Sequence, residues 1–234
     1  MATSWTTTFE QQLASDYSAR FLERIKRRYR VVLYDRRGVG ASGRELSDVT
    51  LRAQIDDLQC VVDAVGFDEC DVLGDNDGCY VAAAFAARHP KQVRRMALWA
   101  PLVTGKDARP QAMREFAQLM RDDWVAARAQ WAAYRAPNGS DDERRQIGDG
   151  FGAMISPEVA AEYLEWEAGE DVGALLAGIS APTLVVNTRR GGARSMGVAE
   201  LIRGARFEPL DSDPATGRPD PAQVADVILR FFDG

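Results

Sequence analysis

The chain has one histidine, His89, in 234 residues, and it has few cysteines. A serine, threonine or cysteine nucleophile usually needs an imidazole as its proton acceptor, so only His89 could serve such a site. The three cysteines, Cys60, Cys70 and Cys79, include no C-x-x-C pair and are odd in number. This pattern argues against a zinc site and a disulfide framework, and favours a reducing, cytoplasmic location. We expect no metal and no cofactor.

A surplus of positive charge is also absent. Lys and Arg number 29 against 35 Asp and Glu, which gives a net charge of −6. Nucleic acids and anionic membranes bind proteins that release counterions through a basic surface, so neither is expected as a partner. The first residues lack the charged region and apolar core of a signal peptide. The chain also has no run of about 18 apolar residues that would span a membrane.

What is present is an alternation of strand-like and helical segments. Hydrophobic residues make up 46% of the chain, enough for one α/β domain with a sizeable core. Such alternation predicts a mainly parallel sheet covered by helices on both faces. Strands are predicted at 29–34, 70–73, 94–99, 182–187 and 206–210, and helices at 17–28, 50–65, 77–88, 196–203 and 221–232.

The rest of the chain is organised around Gly74-Asp75-Asn76-Asp77-Gly78. A short apolar strand precedes this stretch, and a helix of small residues follows it. A strand, a tight turn with glycines on both sides and a helix form a nucleophile elbow, which usually reads G-x-S-x-G. Here the central residue is Asn76, whose amide cannot attack a carbonyl as an alkoxide would.

These pieces resemble the α/β-hydrolase superfamily, in particular its bacterial esterase-like branch. The resemblance rests on the turn Asp35-Arg36-Arg37-Gly38-x-Gly40-x-Ser42, the elbow, His89-Pro90 after the elbow helix, the strand at 182–186 and the final helix. It implies a core formed by residues 15–104 and 178–234. Residues 105–177 would form a helical cap, and residues 1–14 would form an N-terminal arm.

The departures from that pattern remove the Ser-His-Asp triad. The nucleophile position is Asn76, and no carboxylate follows the strand at 182–187, where Thr188 to Gly192 stand. The histidine that should follow the last strand is replaced by the stretch from Asp211 to Gly217. The His-Gly loop that would supply an oxyanion donor is missing too. Together these losses imply a degenerate member of the family.

The N-terminal part is short for this fold. The family places one more strand between those at 29–34 and 70–73, and it precedes both in sequence. Only Trp5 to Phe9 is available for that place. Either this segment fills the gap, the sheet rearranges, or a partner chain contributes. Since an open sheet edge is a liability, we favour a homodimer.

Asn76, Asp75, Asp77 and Asp211 are the candidate catalytic residues. Asn76 either holds the left-handed turn, which asparagine tolerates, or binds a ligand carbonyl or a water. Asp77 either lies at the positive end of its helix or, with Asp75, acts as a general base of raised pKa. Asp211 could join them from the loop after the last strand. The candidate ligand-binding residues are Asn76, Asp77, Arg36, Trp124 and Trp131.

Two functions follow from these residues. The first is a small-molecule binding or regulatory protein with a pocket under the cap for an apolar or aromatic ligand, without Ser-His-Asp ester hydrolysis. The alternative is an enzyme, either a hydrolase, a lyase or a cyclase, that uses Asp and Asn side chains for proton transfer on a natural-product-like substrate. The sequence leaves open whether the protein is an enzyme.

Overall fold

A four-stranded parallel sheet forms the centre of the protein. We describe residues 1–44, 48–101, 110–214 and 216–234 of a computed structural model. The strands are β1 (Cys70–Asp75), β2 (Val93–Trp99), β3 (Thr183–Thr188) and β4 (Arg206–Leu210), in the spatial order β1-β2-β3-β4. All three pairings are parallel, so the carboxyl ends of the strands share one edge of the sheet.

Helices connect the strands and cover both faces of the sheet, which is the α/β-hydrolase arrangement that the sequence predicts. The order places five consecutive helices of the described part, α5 to α9, between β2 and β3. The eleven helices in the described part are α1 (Phe9–Ala14), α2 (Asp16–Lys26), α3 (Leu51–Val65), α4 (Gly78–Arg88), α5 (Pro110–Asp122), α6 (Trp124–Arg135), α7 (Asp141–Met154), α8 (Pro157–Gly169), α9 (Gly173–Leu176), α10 (Gly192–Leu201) and α11 (Pro221–Asp233).

Alternating side chains on the strands build two separate cores. On β1, Val72 packs with α3 and α4, whereas Leu73 packs on the opposite face with α2 and α11. Neighbours on β3 alternate in the same way, as the period of two in a strand requires. A third cluster, from α5 to α8, lies around Phe151 and includes Trp5 from the N-terminal segment.

Helices α5 to α9 lie between β2 and β3, where the sequence predicts a helical insertion. Its predicted start at residue 105 lies outside the described residues, and the division of the chain into core, cap and arm stays a prediction. None of the helices in the described ranges is both long and apolar enough to cross a membrane.

The predicted strand at 29–34 is wrong. Residues 30–36 belong to no helix and no strand. The reason is that no strand of the described ranges pairs with them, and a single bond between main-chain atoms, from the Met1 amine to the Val32 carbonyl at 2.8 Å, joins them to the N-terminal segment.

The gap beside β1 is filled by the N-terminal segment, but not by the residues we expected. The Ala2 amide donates to the Leu73 carbonyl (2.8 Å), and the Ala2 carbonyl accepts from the Asp75 amide (3.1 Å). This is an isolated parallel bridge between Ala2 and Gly74. The stretch from Trp5 to Phe9 turns away instead, because Thr8 caps α1 through a capping box. The homodimer stays a prediction.

Substituting Gly78 by alanine should dislodge the N-terminal segment. A Cβ at Gly78 would overlap the Ala2 carbonyl and lie 2.9 Å from the Thr3 carbonyl oxygen. Because both obstacles are backbone atoms, we expect Gly78→Ala to lower the free energy of unfolding by about 2–3 kcal/mol. Urea unfolding measures this loss of stability. Hydrogen exchange at the Asp75 amide should also become faster.

Gly197→Ala is the matched control, because no atom lies within 4 Å of its Cβ position in α10. This change should leave the unfolding free energy equal or higher by up to about 1 kcal/mol. Equal stability of the two variants would contradict the conclusion that the N-terminal segment packs against Gly78.

Candidate functional site

The elbow keeps its geometry although it lacks its nucleophile. Asn76 adopts a positive φ of 50°, which asparagine tolerates better than most residues. The backbone amide of Asn76 donates to the Trp99 carbonyl at 3.0 Å, so the turn is tied to the end of β2. Asn76 is exposed at the carboxyl edge of the sheet. The structure therefore presents an amide where this fold presents a hydroxyl.

The two glycines of the elbow are required by close contacts. A Cβ at Gly74 would meet the Cα of Cys79 at 2.8 Å and the Cβ of Ala82 at 2.9 Å. The elbow helix α4 thus packs directly on β1, and its residues from Gly78 to Ala86 are all buried. The small residues in this part of the sequence allow α4 to lie this close to β1.

Asp77 forms a buried ion pair with Arg36. Asp77 Oδ2 accepts from Arg36 Nη1 at 2.9 Å, and the two side chains are 4% and 1% exposed. Asp77 makes no side-chain cap on its own helix α4. Burial raises the pKa of the Asp77 carboxyl, and the Arg36 guanidinium acts in the opposite direction. The carboxylate points behind the elbow, towards the core of the protein.

Arg36 gathers several elements around this pair. Its guanidinium also donates to the Thr3 carbonyl (3.0 Å) and to the Gln54 side chain. The Cζ atom lies 5.4 Å and 5.7 Å from the ring centroids of Tyr163 and Trp166. Arg36, a predicted ligand-binding residue, is thus fully enclosed by the protein itself.

Asp75 is the carboxyl group beside Asn76 at the elbow. Asn76 Nδ2 donates to Asp75 Oδ1 at 2.9 Å. Burial raises the pKa of Asp75 to about 7, and the charge of Asp77 adds to this shift. The positive charges of Arg135 and Arg218 act in the opposite direction. A partly exposed carboxyl with a pKa near neutrality can both accept and donate a proton at physiological pH.

Asp211 is not brought into this group. Its side chain is 80% exposed and accepts from Arg189 Nε at 2.7 Å. Its charge is not among those that shift the pKa of Asp75. The predicted cluster of Asp75, Asp77 and Asp211 is therefore reduced to two aspartates, of which one is held in an ion pair.

Trp124 and Trp131 lie in the aromatic cluster of the helical insertion. Their ring centroids are 5.3 Å and 5.1 Å from that of Phe151. Both tryptophans are half-buried. They contribute to the packing of α6 against α7, and a role in ligand binding stays a prediction.

His89 and Cys79 are poorly placed for nucleophilic or base chemistry at the elbow. His89 ends α4, one helix length from the elbow, and stacks on Phe85 with centroids 4.5 Å apart. Cys79 is fully buried, and burial raises the pKa of its thiol well above the ordinary value. In the described ranges no group of three His, Cys, Asp or Glu residues could hold a metal ion.

Sequence reasoning missed Trp5 and Glu167, which connect the N-terminal segment to α8. Trp5 is 1% exposed and stacks on Tyr163 at 5.2 Å. Its amide donates to Asp77 (3.4 Å), and its Nε1 donates to Glu167 Oε2 (3.3 Å). Burial raises the pKa of Glu167 to about 7, and the charge of Asp77 adds to the shift. The one signal in the sequence for this contact is Trp5 itself, a single tryptophan in a Thr-rich segment.

Comparison with known proteins identifies the family. Residues 9–154 match the family model described as alpha/beta hydrolase fold. A relative from Rhizobium rhizogenes, named "Putative carbamate hydrolase RutD", is 26% identical over 94% of this chain and 88% of its own length. A protein of the same name from Caulobacter is 37% identical over 32% of this chain. The chain matches only 28% of the length of that relative. It matches 29% of the length of another relative of the same name, from Azorhizobium caulinodans.

Solved structures show the same fold. The enol-lactonase from Burkholderia xenovorans superposes with a TM-score of 0.79 over 100% of this chain and 90% of its own, at 21% identity. A hydrolase from Pseudomonas aeruginosa gives 0.81 over 100% and 88%, also at 21% identity. At these identities the likeness concerns the fold alone.

Glu167→Gln should stabilise the protein at alkaline pH. The pKa of Glu167 in the folded protein, about 7, exceeds the ordinary value of 4.5, so the fold loses stability as the pH rises from about 4.5 to about 7, and the loss is fully present at pH 8. With allowance for partial exposure, we expect about 2 kcal/mol of added stability at pH 8 and none near pH 4.5. Urea unfolding at both pH values measures the difference.

Glu162→Gln, an exposed position on the same helix, is the control and should change stability by less than about 0.5 kcal/mol. A Glu167→Gln variant that is less stable than the wild type at pH 8 would show that the Trp5 bond depends on an ionised partner.

Proposed function

The chain belongs to the alpha/beta hydrolase fold family, and from this premise we propose that it binds a small molecule at the elbow without serine-type ester hydrolysis. Asn76 and Asp75 form the recognition pair of the proposed site. Arg36 and Asp77 hold the turn from behind. The ligand is an apolar or aromatic molecule that carries a carbonyl or amide group.

The observation that carries this proposal is the distance between the elbow and the one histidine. His89 follows α4, which spans 11 residues from Gly78, and at about 1.5 Å per residue it lies roughly 16 Å away. No imidazole can therefore activate a group at position 76. An amide side chain on a strained turn is suited to hold a ligand group rather than to attack it.

The Asn76–Asp75 pair gives this site its polar chemistry. Asn76 offers both a donor and an acceptor. Asp75, with a pKa of about 7, is partly protonated at neutral pH and offers both as well. A carbonyl, an amide or a carbamate presents the complementary groups, while the aromatic side chains of the insertion would face the apolar part.

The second candidate is an acid–base enzyme in which Asp75 moves the proton. The pKa of about 7 favours it, because a general acid or base works best when its pKa lies near the working pH. The relatives named for carbamate hydrolysis also support this alternative. In this reaction Asn76 would orient the water or the substrate carbonyl.

Simple esters should not be hydrolysed through residue 76. We expect 4-nitrophenyl acetate to be cleaved at the same rate by the wild type and by Asn76→Ala, since neither holds a nucleophile with a base. Release of nitrophenolate at 400 nm measures both rates. A rate in the wild type that is a hundredfold above that of Asn76→Ala would overturn the proposal.

Phenyl carbamate distinguishes binding from turnover. If the binding proposal holds, saturation-transfer NMR detects the bound molecule, Asn76→Ala weakens binding about tenfold, and no phenol is released. If the second candidate holds, phenol appears, its rate changes through pH 7, and Asp75→Asn lowers the rate about a hundredfold. Asp142→Asn, an exposed substitution on α7, should affect neither readout. If the probe neither binds nor reacts, this ligand class is wrong.

A further inference from the structure

Two arginines from distant parts of the chain lie near the elbow. Arg135 is the last residue of α6, and Arg218 lies in the loop between β4 and α11. Burial raises the pKa of Asp75, and the charges of both arginines lower it. Since electrostatic effects between exposed groups fade over roughly 10 Å, the two guanidinium groups and the Asp75 carboxyl are neighbours at the carboxyl edge of the sheet.

The ring of Tyr17 connects Arg218 with the elbow. The Arg218 Cζ atom lies 5.4 Å from the centroid of this ring. The Tyr17 ring lies 6.1 Å from the ring of Trp99, at the end of β2. The Trp99 carbonyl accepts from the backbone amide of Asn76. Arg218 is thus placed beside the elbow by two aromatic rings.

Arg135 is held in the same way by the helical insertion. Its Cζ atom lies 5.7 Å from the ring centroid of Trp131, one turn earlier on α6. A guanidinium above a ring uses its face for this contact and keeps the N–H groups at its edge for other partners. The side chains of Arg135 and Arg218 are both exposed. A ligand at the elbow can therefore reach both sets of donors.

The two arginines leave a surplus of positive charge at this edge. Neither guanidinium forms an ion pair or a hydrogen bond among the described residues. Asp75 is the one carboxyl group of the described part whose charge raises the pKa of Arg135, and with a pKa of about 7 it is partly neutral itself. Asp220, the other acid near Tyr17, is paired with Arg20. Two positive charges thus face at most one negative charge.

The Tyr17 hydroxyl is a third polar group without a partner at this place. Its oxygen is buried, yet no atom of the described residues forms a hydrogen bond with it. Burial raises the pKa of Tyr17 to about 12, and the charge of Arg218 acts in the opposite direction. The phenol therefore keeps its proton at neutral pH and offers a donor. A buried polar group without a partner calls for one that arrives with a ligand.

We propose that Arg135 and Arg218 bind a carboxylate of the ligand. This inference rests on the function proposed above, in which Asn76 and Asp75 hold the carbonyl or amide group of the same molecule. It narrows the ligand class to aromatic or apolar amides and carbamates that also carry a carboxylate. The planar guanidinium matches the two oxygens of a carboxylate, and such charge-assisted hydrogen bonds are stronger than neutral ones. Tyr17 supplies a further donor.

The test compares acids with their own carboxamides. The probes are N-benzoylglycine, N-benzoyl-β-alanine and N-benzoyl-4-aminobutyrate, which place the carboxylate at increasing distances from the amide. Titration calorimetry at pH 6.5 measures the dissociation constant of each acid and of its carboxamide. We expect at least one acid to bind at least tenfold more tightly than its carboxamide, and we expect added salt to reduce this preference.

Charge-removing variants locate the carboxylate. Arg135→Gln and Arg218→Gln should each weaken binding of the preferred acid about tenfold and change binding of its carboxamide less than about twofold. Tyr17→Phe keeps the ring beneath Arg218 and should weaken the acid roughly threefold. Arg203→Gln is the matched control, because Arg203 is exposed between α10 and the amino end of β4, at the opposite edge of the sheet. This variant should bind every probe as the wild type does.

The outcomes separate this inference from the proposed function. If the carboxamides bind and Asn76→Ala weakens them, but no acid binds more tightly, the carboxylate site is wrong and the proposed function stands. If acids bind through the two arginines and Asn76→Ala has no effect, the carboxylate site stands and the proposed function is wrong. A preference for the acid that survives in the Arg135→Gln, Arg218→Gln double variant would overturn the inference. No binding of any probe up to 10 mM would overturn both.

Discussion

The buried ion pair between Arg36 and Asp77 is the interaction on which the rest of the structure depends. It joins the segment 30–36 to the residue that precedes the elbow helix α4. The N-terminal segment is held on the same two side chains, through the Thr3 carbonyl and the Trp5 amide. Removing either partner would leave a charge without water or a counterion, at a cost of about 3–5 kcal/mol. The pair therefore fixes the elbow from behind, and with it the position of Asn76.

Two aspartates that flank the same turn have different roles because their surroundings differ. Asp77 faces the Arg36 guanidinium and the Trp5 amide, so its charge has a structural role. Asp75 faces the carboxyl edge of the sheet, where it accepts from Asn76 and keeps a pKa near neutrality. The turn thus separates a structural carboxylate from a chemically available one. The family's strand–turn–helix geometry survives here with a different set of functional groups.

The sequence was sufficient for the fold and for the elbow, and insufficient for what surrounds them. Strands and helices are local patterns, and Gly74 and Gly78 mark a turn that only glycine permits. The segment 29–34 has the composition of a strand, but a ladder also needs a neighbouring strand. The β-branched residues of one segment do not show whether that neighbour exists. The partners of Asp77 depend on the side of the turn to which its side chain points. The spacing of residues in the sequence does not determine that direction. Asp211 follows its strand as expected, yet its pairing with Arg189 is set by loop geometry.

The contact between Trp5 and Glu167 has a consequence for the order in which the molecule assembles. The two residues are separated by 162 positions, so Trp5 cannot make this contact during synthesis until α8 has left the ribosome. Closing so long a loop is entropically costly and slows folding. Until α8 emerges, the Trp5 ring lacks the Tyr163 ring on which it stacks, and chaperones or other chains compete for it. The Trp5 ring is thus synthesised well before the residues that bury it.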